Sequence, residues 1–456
     1  MIKKVSSVLI VGLGRSGREA ALLLREKGFR VLVTEIKKSK SKQKEADFLR
    51  DKQIEVHLGS HSLRLLEEID LVVVSPGVPP KIPLIKEVRA RKIPILGELE
   101  MAFQYLRDGK LVAITGTNGK STTTHLTAQM LGGKKERVEV AGNVGRPLSA
   151  VIKDNPWIIV CEVSSFQLET MDTFTPFISC ILNITPDHLD RHGTLKNYIS
   201  LKSRIFKNQK GQEIVILNRD DPLVYQLAKQ VKARVFFFSQ LEELKRGVFI
   251  RKGRVICRLE DQESVFSLKG VALSGTHNRE NILAAVSICS LLGIDKESFW
   301  SALKNFPGLS HRSELVDEVK GVRFIDDSKA TNEGAVKRCL QSLDCSAVLI
   351  MGGRDKGADF SSLKDEIRRK VRKIVVMGEA RERIYHQLKS LGCLLRVDDL
   401  HQAVEVAFEE ARAGDCVVLS PGCASFDQFK DFSERGDYFK REVKRLREKI
   451  EKQRPD

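Results

Sequence analysis

The stretch Thr115-Gly116-Thr117-Asn118-Gly119-Lys120-Ser121-Thr122, directly after the apolar run Leu111-Val112-Ala113-Ile114, constrains this chain more than any other. A strand must end there, because closely spaced glycines break it, and the Lys-Ser-Thr that follows opens a helix. A glycine turn leading into a helix N-terminus presents backbone N–H groups to an anion. The ammonium and hydroxyl just beyond supply a partner for β/γ-phosphates and a ligand for magnesium. The pattern predicts a nucleotide-binding unit on a parallel sheet, with ATP as the nucleotide. Its spacing departs from the usual Walker form, since Ile114 stands where that form has its first glycine and Gly116 replaces it.

A second glycine turn, Gly12-Leu13-Gly14-Arg15-Ser16-Gly17, follows the run Val8-Leu9-Ile10-Val11 and precedes a helical pattern from Arg18 to Glu26. Glycines in this setting let a backbone approach a pyrophosphate, and Glu35, at the end of the next strand, stands where a ribose hydroxyl lies in a dinucleotide fold. A tight turn without a ligand is the other reading, and the motif leaves the nucleotide open. Further strands are predicted at 69–74, 157–161, 178–183, 214–218, 323–326, 347–351, 373–377 and 416–419, alternating with helical stretches. At ~150 residues per domain, 456 residues predict about three domains. The class is α/β: a Rossmann-like domain over 1–97, a central P-loop ATPase-like parallel-sheet domain over 98–308 and a Rossmann-like domain over 309–456. After Asp437, residues Phe439, Val443, Leu446 and Ile450 recur at helical intervals, predicting an amphipathic helix docked on its own domain.

Lysine and arginine outnumber aspartate and glutamate by 77 to 60, which favours anionic partners without choosing among nucleic acid, phosphorylated small molecules and a membrane surface. With only 6% aromatic residues there is little base-stacking surface, so a nucleic-acid role is not expected. Nine cysteines form no CxxC pair, which predicts reduced, buried thiols and a cytoplasmic setting. No run of 18 apolar residues exists, so no membrane span is expected.

Two acidic or imidazole clusters follow predicted strands: Cys161-Glu162-Val163-Ser164-Ser165 and Asn183-Ile184-Thr185-Pro186-Asp187-His188. Phosphoryl transfer needs metal-binding carboxylate or imidazole groups opposite its lysine loop, which suits Glu162 and His188. Helix capping or a structural histidine explains each one singly just as well. His277-Asn278 and Asn281 open a helix with two amides three apart, suited to a donor–acceptor edge such as adenine, or to capping by Asn278.

Gly116-Thr117-Asn118-Gly119-Lys120-Ser121, Glu162-Val163-Ser164-Ser165, Asp187-His188, His277-Asn278 and Asp327-Ser328-Lys329, in this order, resemble the Mur ligases over nearly the whole chain. These are ATP-dependent amide-forming enzymes of peptidoglycan precursor synthesis. Ser328-Lys329-Ala330-Thr331-Asn332 and the segment Ser420-Pro421-Gly422-Cys423-Ala424-Ser425-Phe426 are most similar to the members that attach D-glutamate to UDP-N-acetylmuramoyl-L-alanine. The resemblance implies an ADP-forming acid–amino-acid ligase working through an acyl phosphate. It implies that Lys120, Glu162, His188 and Lys202 carry catalysis, with two magnesium ions on Ser121, Glu162, His188 and a carbamylated Lys202. It assigns ATP to Gly116, Thr117, Asn118, Gly119, Lys120, Ser121, Thr122, Asn278, Asn281, Arg312 and Asp327. The UDP-linked substrate falls to Gly14, Arg15, Ser16, Glu35, Ser75, Gly77 and Asn143, and D-glutamate to Lys329, Thr331, Lys356, Ser425 and Phe432. A monomer is expected.

A nicotinamide-dependent oxidoreductase would explain Gly12 to Gly17 and Glu35 but leaves Lys120 without a purpose. Sibling ligases differ in their motifs: this chain has no Asp-Asn-Pro-Arg element, and its loop reads Gly-Thr-Asn-Gly rather than Gly-Thr-His-Gly.

Overall fold

The computed structural model describes residues 5–132, 137–259, 262–271, 273, 275–294, 296–355 and 357–452. Its strands form three sheets that follow one another along the chain. The first holds β1 (Ser7–Val11), β2 (Arg30–Glu35), β3 (Glu55–Leu58), β4 (Leu71–Val74) and β5 (Ile95–Gly97) in the order β3-β2-β1-β4-β5, all parallel. Alternation along β1 sends Val8 and Ile10 to one face, with Ala20, Ala21 and Leu24, and Leu9 and Val11 to the other, with Leu84, Ile85 and Val88. Both faces are covered, so the run reads as continuously apolar, as a buried parallel strand should.

The second sheet holds β6 (Lys110–Thr115), β7 (Val138–Gly142), β8 (Ile158–Glu162), β9 (Ile178–Ile181), β10 (Lys210–Asn218), β11 (Lys232–Ser239), β12 (Gly247–Arg251), β13 (Arg254–Leu259) and β14 (Gln262–Ser267). Its order is β14-β13-β12-β11-β10-β9-β6-β8-β7. The strands from β7 to β12 pair in parallel, but β12-β13-β14 is an antiparallel meander that the sequence reading did not contain. Lys252 and Gly253, both at positive φ, make the two-residue turn between β12 and β13.

The third sheet holds β15 (Glu314–Val319), β16 (Val322–Asp326), β17 (Ala347–Gly352), β18 (Val371–Met377), β19 (Leu394–Arg396) and β20 (Cys416–Leu419), in the order β15-β16-β20-β17-β18-β19. Only β15 is antiparallel, joined to β16 through Lys320-Gly321, again both at positive φ. The tail forms the helix Phe432–Lys452 and buries Phe439, Val443 and Leu446 in the core of this sheet, as the apolar spacing predicts.

Two compact units result. One comprises 1–184, 192–269 and 280–304 and contains the first two sheets; the other comprises 185–191, 270–279 and 305–456. No described helix is long and apolar enough to cross a membrane. One expectation fails: Cys345 and Cys416 are paired in a disulfide rather than reduced, while the seven other cysteines form no disulfide. The reason is sheet order, since β20 lies beside β17 and Cys416 N–H donates to Ser346 O at 2.8 Å, bringing together residues 71 apart.

Candidate active site

The first glycine turn leaves β1 where the sheet order reverses, between β4 and β2, a crevice that collects ligands in open α/β sheets. Gly17 is forced by packing: a Cβ there would stand 1.9 Å from Gly12 O. Ser75, just past β4, donates through Oγ to Gly12 O at 3.0 Å and so fixes the turn. The crevice opens into a cavity of about 670 Å³ whose wall includes all seven residues expected to meet the UDP-linked substrate: Gly14, Arg15, Ser16, Glu35, Ser75, Gly77 and Asn143. A smaller neighbouring cavity of about 340 Å³ shares Arg15 and Lys42 and adds Arg18 and Arg146, of which Arg18 is paired with Glu19 and Glu45 and Arg146 with Asp154.

Glu35 is not an open carboxylate. Its oxygens accept from Leu13 N–H and Lys37 N–H, each at 2.9 Å. Burial pushes its pKa up, but those two donors, with Lys42 and His61 nearby, outweigh it and leave the group below its ordinary value. Glu35 therefore pins two loops of the cavity before any ligand arrives. Lys42, Ile36 and His61 also line it and were absent from the expected set. The available signal was positional, because each lies at or beyond the carboxyl end of a parallel strand or on the helix that follows it.

The second glycine turn leaves β6, which is flanked by β9 and β8, again at a reversal of strand order. Asn183 clamps it, accepting from Asn118 N–H at 2.9 Å and donating to Asn118 O at 3.1 Å, while Asn183 O accepts from Thr117 N–H. Lys120 Nζ donates to Gly116 O at 2.9 Å and Thr117 O at 2.8 Å, so its ammonium caps the mouth of the loop. Gly119 adopts φ +84° as the helix N-cap, without a side-chain cap on the first turn of Lys120–Leu131. N–H groups at that end suit phosphate oxygens. Thr123 Oγ1 donates to Asn281 Oδ1 at 3.2 Å, which brings one expected ATP residue against the helix carrying Ser121 and Thr122.

Lys202 is 1% exposed; its Nζ donates to Gly116 O at 2.8 Å and lies 4.6 Å from the Tyr198 ring centre. It is buried against the second glycine turn, not on the surface. Tyr198, whose hydroxyl is 3.2 Å from Thr117 Oγ1, and Asn183 complete the loop's support and were not among the expected site residues. Glu162 ends β8 in register with Ile114 of β6, is 2% exposed, and accepts from Asn143 Nδ2 at 2.6 Å. The carboxylate of Glu162 and the hydroxyl of Ser121 are hard oxygen donors in the same unit as Lys120, a chemistry that fits magnesium.

The remaining expected residues lie in the second unit, which holds His188, Asn278, Arg312, Asp327, Lys329, Thr331, Ser425 and Phe432. His188 has φ +53°, with Nε2 3.7 Å from Asp187 Oδ2, and Asp187 accepts from Asn332 Nδ2 at 3.0 Å. Asp327 follows β16 and accepts from Ser420 Oγ at 2.9 Å and Ser313 N–H at 3.2 Å; burial pushes its carboxyl up to about 7, against the pull of these bonds. Lys329 Nζ sits 3.7 Å from the Phe432 ring centre, joining two of the residues expected to meet D-glutamate. Ser425 is buried, and Lys356 lies outside the described residues. The fully buried Arg435 underlies this group, donating to Ser328 Oγ at 3.0 Å, Ser328 O at 2.8 Å and Cys423 O at 3.1 Å.

Comparison with known proteins follows the same segments. Residues 6–97 match the Mur ligase MurD-like N-terminal domain, 114–289 the Mur ligase middle domain, and 311–423 the Mur ligase glutamate ligase domain. A curated UDP-N-acetylmuramoylalanine--D-glutamate ligase from Pelotomaculum thermopropionicum is 42% identical over 447 residues, covering 96% of this chain and 98% of the relative. Its namesake from Acidobacterium capsulatum is 40% identical over 443 residues, covering 96% of each. Among solved structures, UDP-N-acetylmuramate-alanine ligase MurC from Thermotoga maritima shares the fold with a TM-score of 0.60 at 21% identity, over 98% of this chain and 100% of that one. MurF ligase from the same organism, in complex with ADP, gives 0.59 at 17% identity over 98% and 97%. A sequence match at this level along nearly the entire length places the chain in the Mur ligase family.

Proposed function

We propose that this ligase joins D-glutamate to UDP-N-acetylmuramoyl-L-alanine, the joining that its 40% identical relative is named for, and that it does so at the expense of ATP in peptidoglycan precursor synthesis. The observation that carries the reading is the bond from Asn143 to Glu162: one residue lines the large cavity, the other ends the strand beside the glycine–lysine loop. A substrate held in that cavity can present its terminal carboxylate where ATP presents its γ-phosphoryl group.

The chemistry follows from the inertness of a carboxylate toward amines. A carboxylate oxygen attacks the γ-phosphorus, the bond to the β,γ-bridging oxygen breaks, and ADP leaves. The D-glutamate amine then attacks the acyl carbon, the C–N bond forms, and inorganic phosphate departs with the C–O bond electrons while the nitrogen loses a proton. Lys120 and the helix N-terminus stabilise the charge on the transferring phosphoryl oxygens. Magnesium, when bound, neutralises triphosphate charge, and Ser121, Glu162, His188 and Lys202 are the residues assigned to two such ions. Carbamylation would make Lys202 an anion suited to orient them, its amine taking up carbon dioxide and losing a proton. Asn278, Asn281, Arg312 and Asp327 hold the nucleotide, and Lys329, Thr331, Lys356, Ser425 and Phe432 hold D-glutamate, whose two carboxylates call for cationic partners. The reading takes domains over 1–97, 98–308 and 309–456, a monomer, and the cytoplasm as the place of action.

The test is phosphate release by the purified chain. Release should need ATP, magnesium, UDP-N-acetylmuramoyl-L-alanine and D-glutamate together. Release with L-glutamate but not the D-enantiomer would overturn the assignment.

A further inference from the structure

His61 lines the large cavity, yet neither the glycine turn nor the phosphate chemistry accounts for it. Its Nδ1 lies 3.0 Å from Thr34 Oγ1, and that oxygen lies 3.0 Å from Ser60 O. A carbonyl only accepts, so the single hydroxyl proton of Thr34 goes to Ser60 O. The Thr34 oxygen must then accept from His61, which puts the ring proton on Nδ1. Thr34 is fully buried, so this bond lies behind the cavity wall. Burial holds His61 below its ordinary pKa, against a weaker pull from Glu35, which favours the neutral ring. A neutral imidazole protonated at Nδ1 carries a lone pair at Nε2.

The cavity also has an apolar part of its wall, Ile36, Pro76, Val78, Pro79 and Ile82, while Arg15, Lys37, Lys42, Asn143 and Gln167 line other parts of it, and each Glu35 oxygen accepts from a backbone N–H. Uracil has an apolar face and an edge with one N–H between two carbonyls. The geometry points to His61 Nε2 as the acceptor for the uracil imide N–H, and thus as the residue that selects uridine over cytidine in this cavity. Cytosine offers a lone pair at the same ring position, and two lone pairs face to face repel. The inference rests on the proposed reading that the cavity takes the UDP portion of the substrate.

The test measures binding of UDP and of CDP to the full chain by calorimetry. The native protein should bind UDP at least about tenfold tighter than CDP, because the wrong edge leaves the acceptor unpaired. In His61→Leu, UDP affinity should fall about tenfold and CDP affinity should not, so that the ratio approaches one, with the KM for ATP unchanged. His61→Gln keeps an acceptor oxygen and should retain part of the preference. UDP binding with an unaltered UDP/CDP ratio in His61→Leu would overturn this inference alone, as would Leu and Gln variants that behave alike. A native chain that does not bind UDP would overturn the substrate reading and this inference with it.

Discussion

The side-chain amide of Asn143 donates to the Glu162 carboxylate at 2.6 Å, linking a wall of the large cavity to the strand end beside the glycine–lysine loop. Replacing Asn143 by Ala removes a charge-assisted bond and should lower kcat/KM for the UDP-linked substrate by about tenfold or more. Asn143→Asp should be worse at pH 8, because two carboxylates then face each other, and should recover toward pH 6 as one takes up a proton. Phosphate-release rates across that range check both variants; an Asp variant with the native pH profile would remove the assigned contact.

Lys202 shares an acceptor with Lys120, since both ammonium groups donate to Gly116 O. Lys120→Ala should abolish turnover. Lys202→Ala should lose activity that high bicarbonate or a short carboxylate partly restores, because an added anion can take the place of a carbamate. Full activity in Lys202→Ala, measured by phosphate release, would remove that part of the mechanism.

Gly119→Ala should damage nucleotide binding and stability together. The added Cβ would stand 2.3 Å from Asn281 Oδ1 at φ +84°. The left-handed backbone alone costs about 1–2 kcal/mol for a residue with a Cβ. A lower Tm and a raised KM for ATP are expected, whereas an exposed glycine with open space around it, such as Gly211, should accept the same change with a smaller effect.

The raised carboxyl of Asp327 gives a pH dependence of known sign. Between its ordinary value of 3.8 and about 7, the unfolded chain has released this proton and the folded chain still holds it. The folded state binds more protons there, so this group lowers stability as pH rises, and its effect levels off above about 7. Asp327→Asn cannot release the proton. Its stability relative to the native chain, from urea melts without nucleotide, should therefore improve from pH 5 to pH 8 by more than about 1 kcal/mol. A constant difference would place the carboxyl in a better solvated state than the structure shows.

Much of this architecture was legible because buried parallel strands are short apolar runs stopped by glycine or polar clusters. β8 ends in Glu162, the loops just beyond β1, β4, β6, β16 and β20 carry Gly14, Ser75, Gly116, Asp327 and Ser425, and the helix Phe432–Lys452 announces itself by spacing. Less legible was whatever depends on sheet order. The pairing of Cys345 with Cys416 and the clamp of Asn183 on Asn118 arise from neighbouring strands distant in sequence. The antiparallel meander β12-β13-β14 was missed because its central strand alternates weakly, leaving Lys252-Gly253 as its one clear turn signal. Glu35 shows a different limit: its place at a strand end pointed to a ligand hydroxyl, while its bonds are to Leu13 and Lys37. His61 carries no motif, and its tautomer emerges only from the proton count around Thr34.

The chain passes between its two compact units five times, after residues 184, 191, 269, 279 and 304. The short excursions 185–191 and 270–279 carry His188 and Asn278, so a fragment ending at 304 would retain both while lacking the rest of the body they fold with. Swapping the carboxyl-terminal body between relatives by a single crossover would therefore graft foreign loops onto a mismatched host. Productive chimeras should need those two inserts exchanged as well.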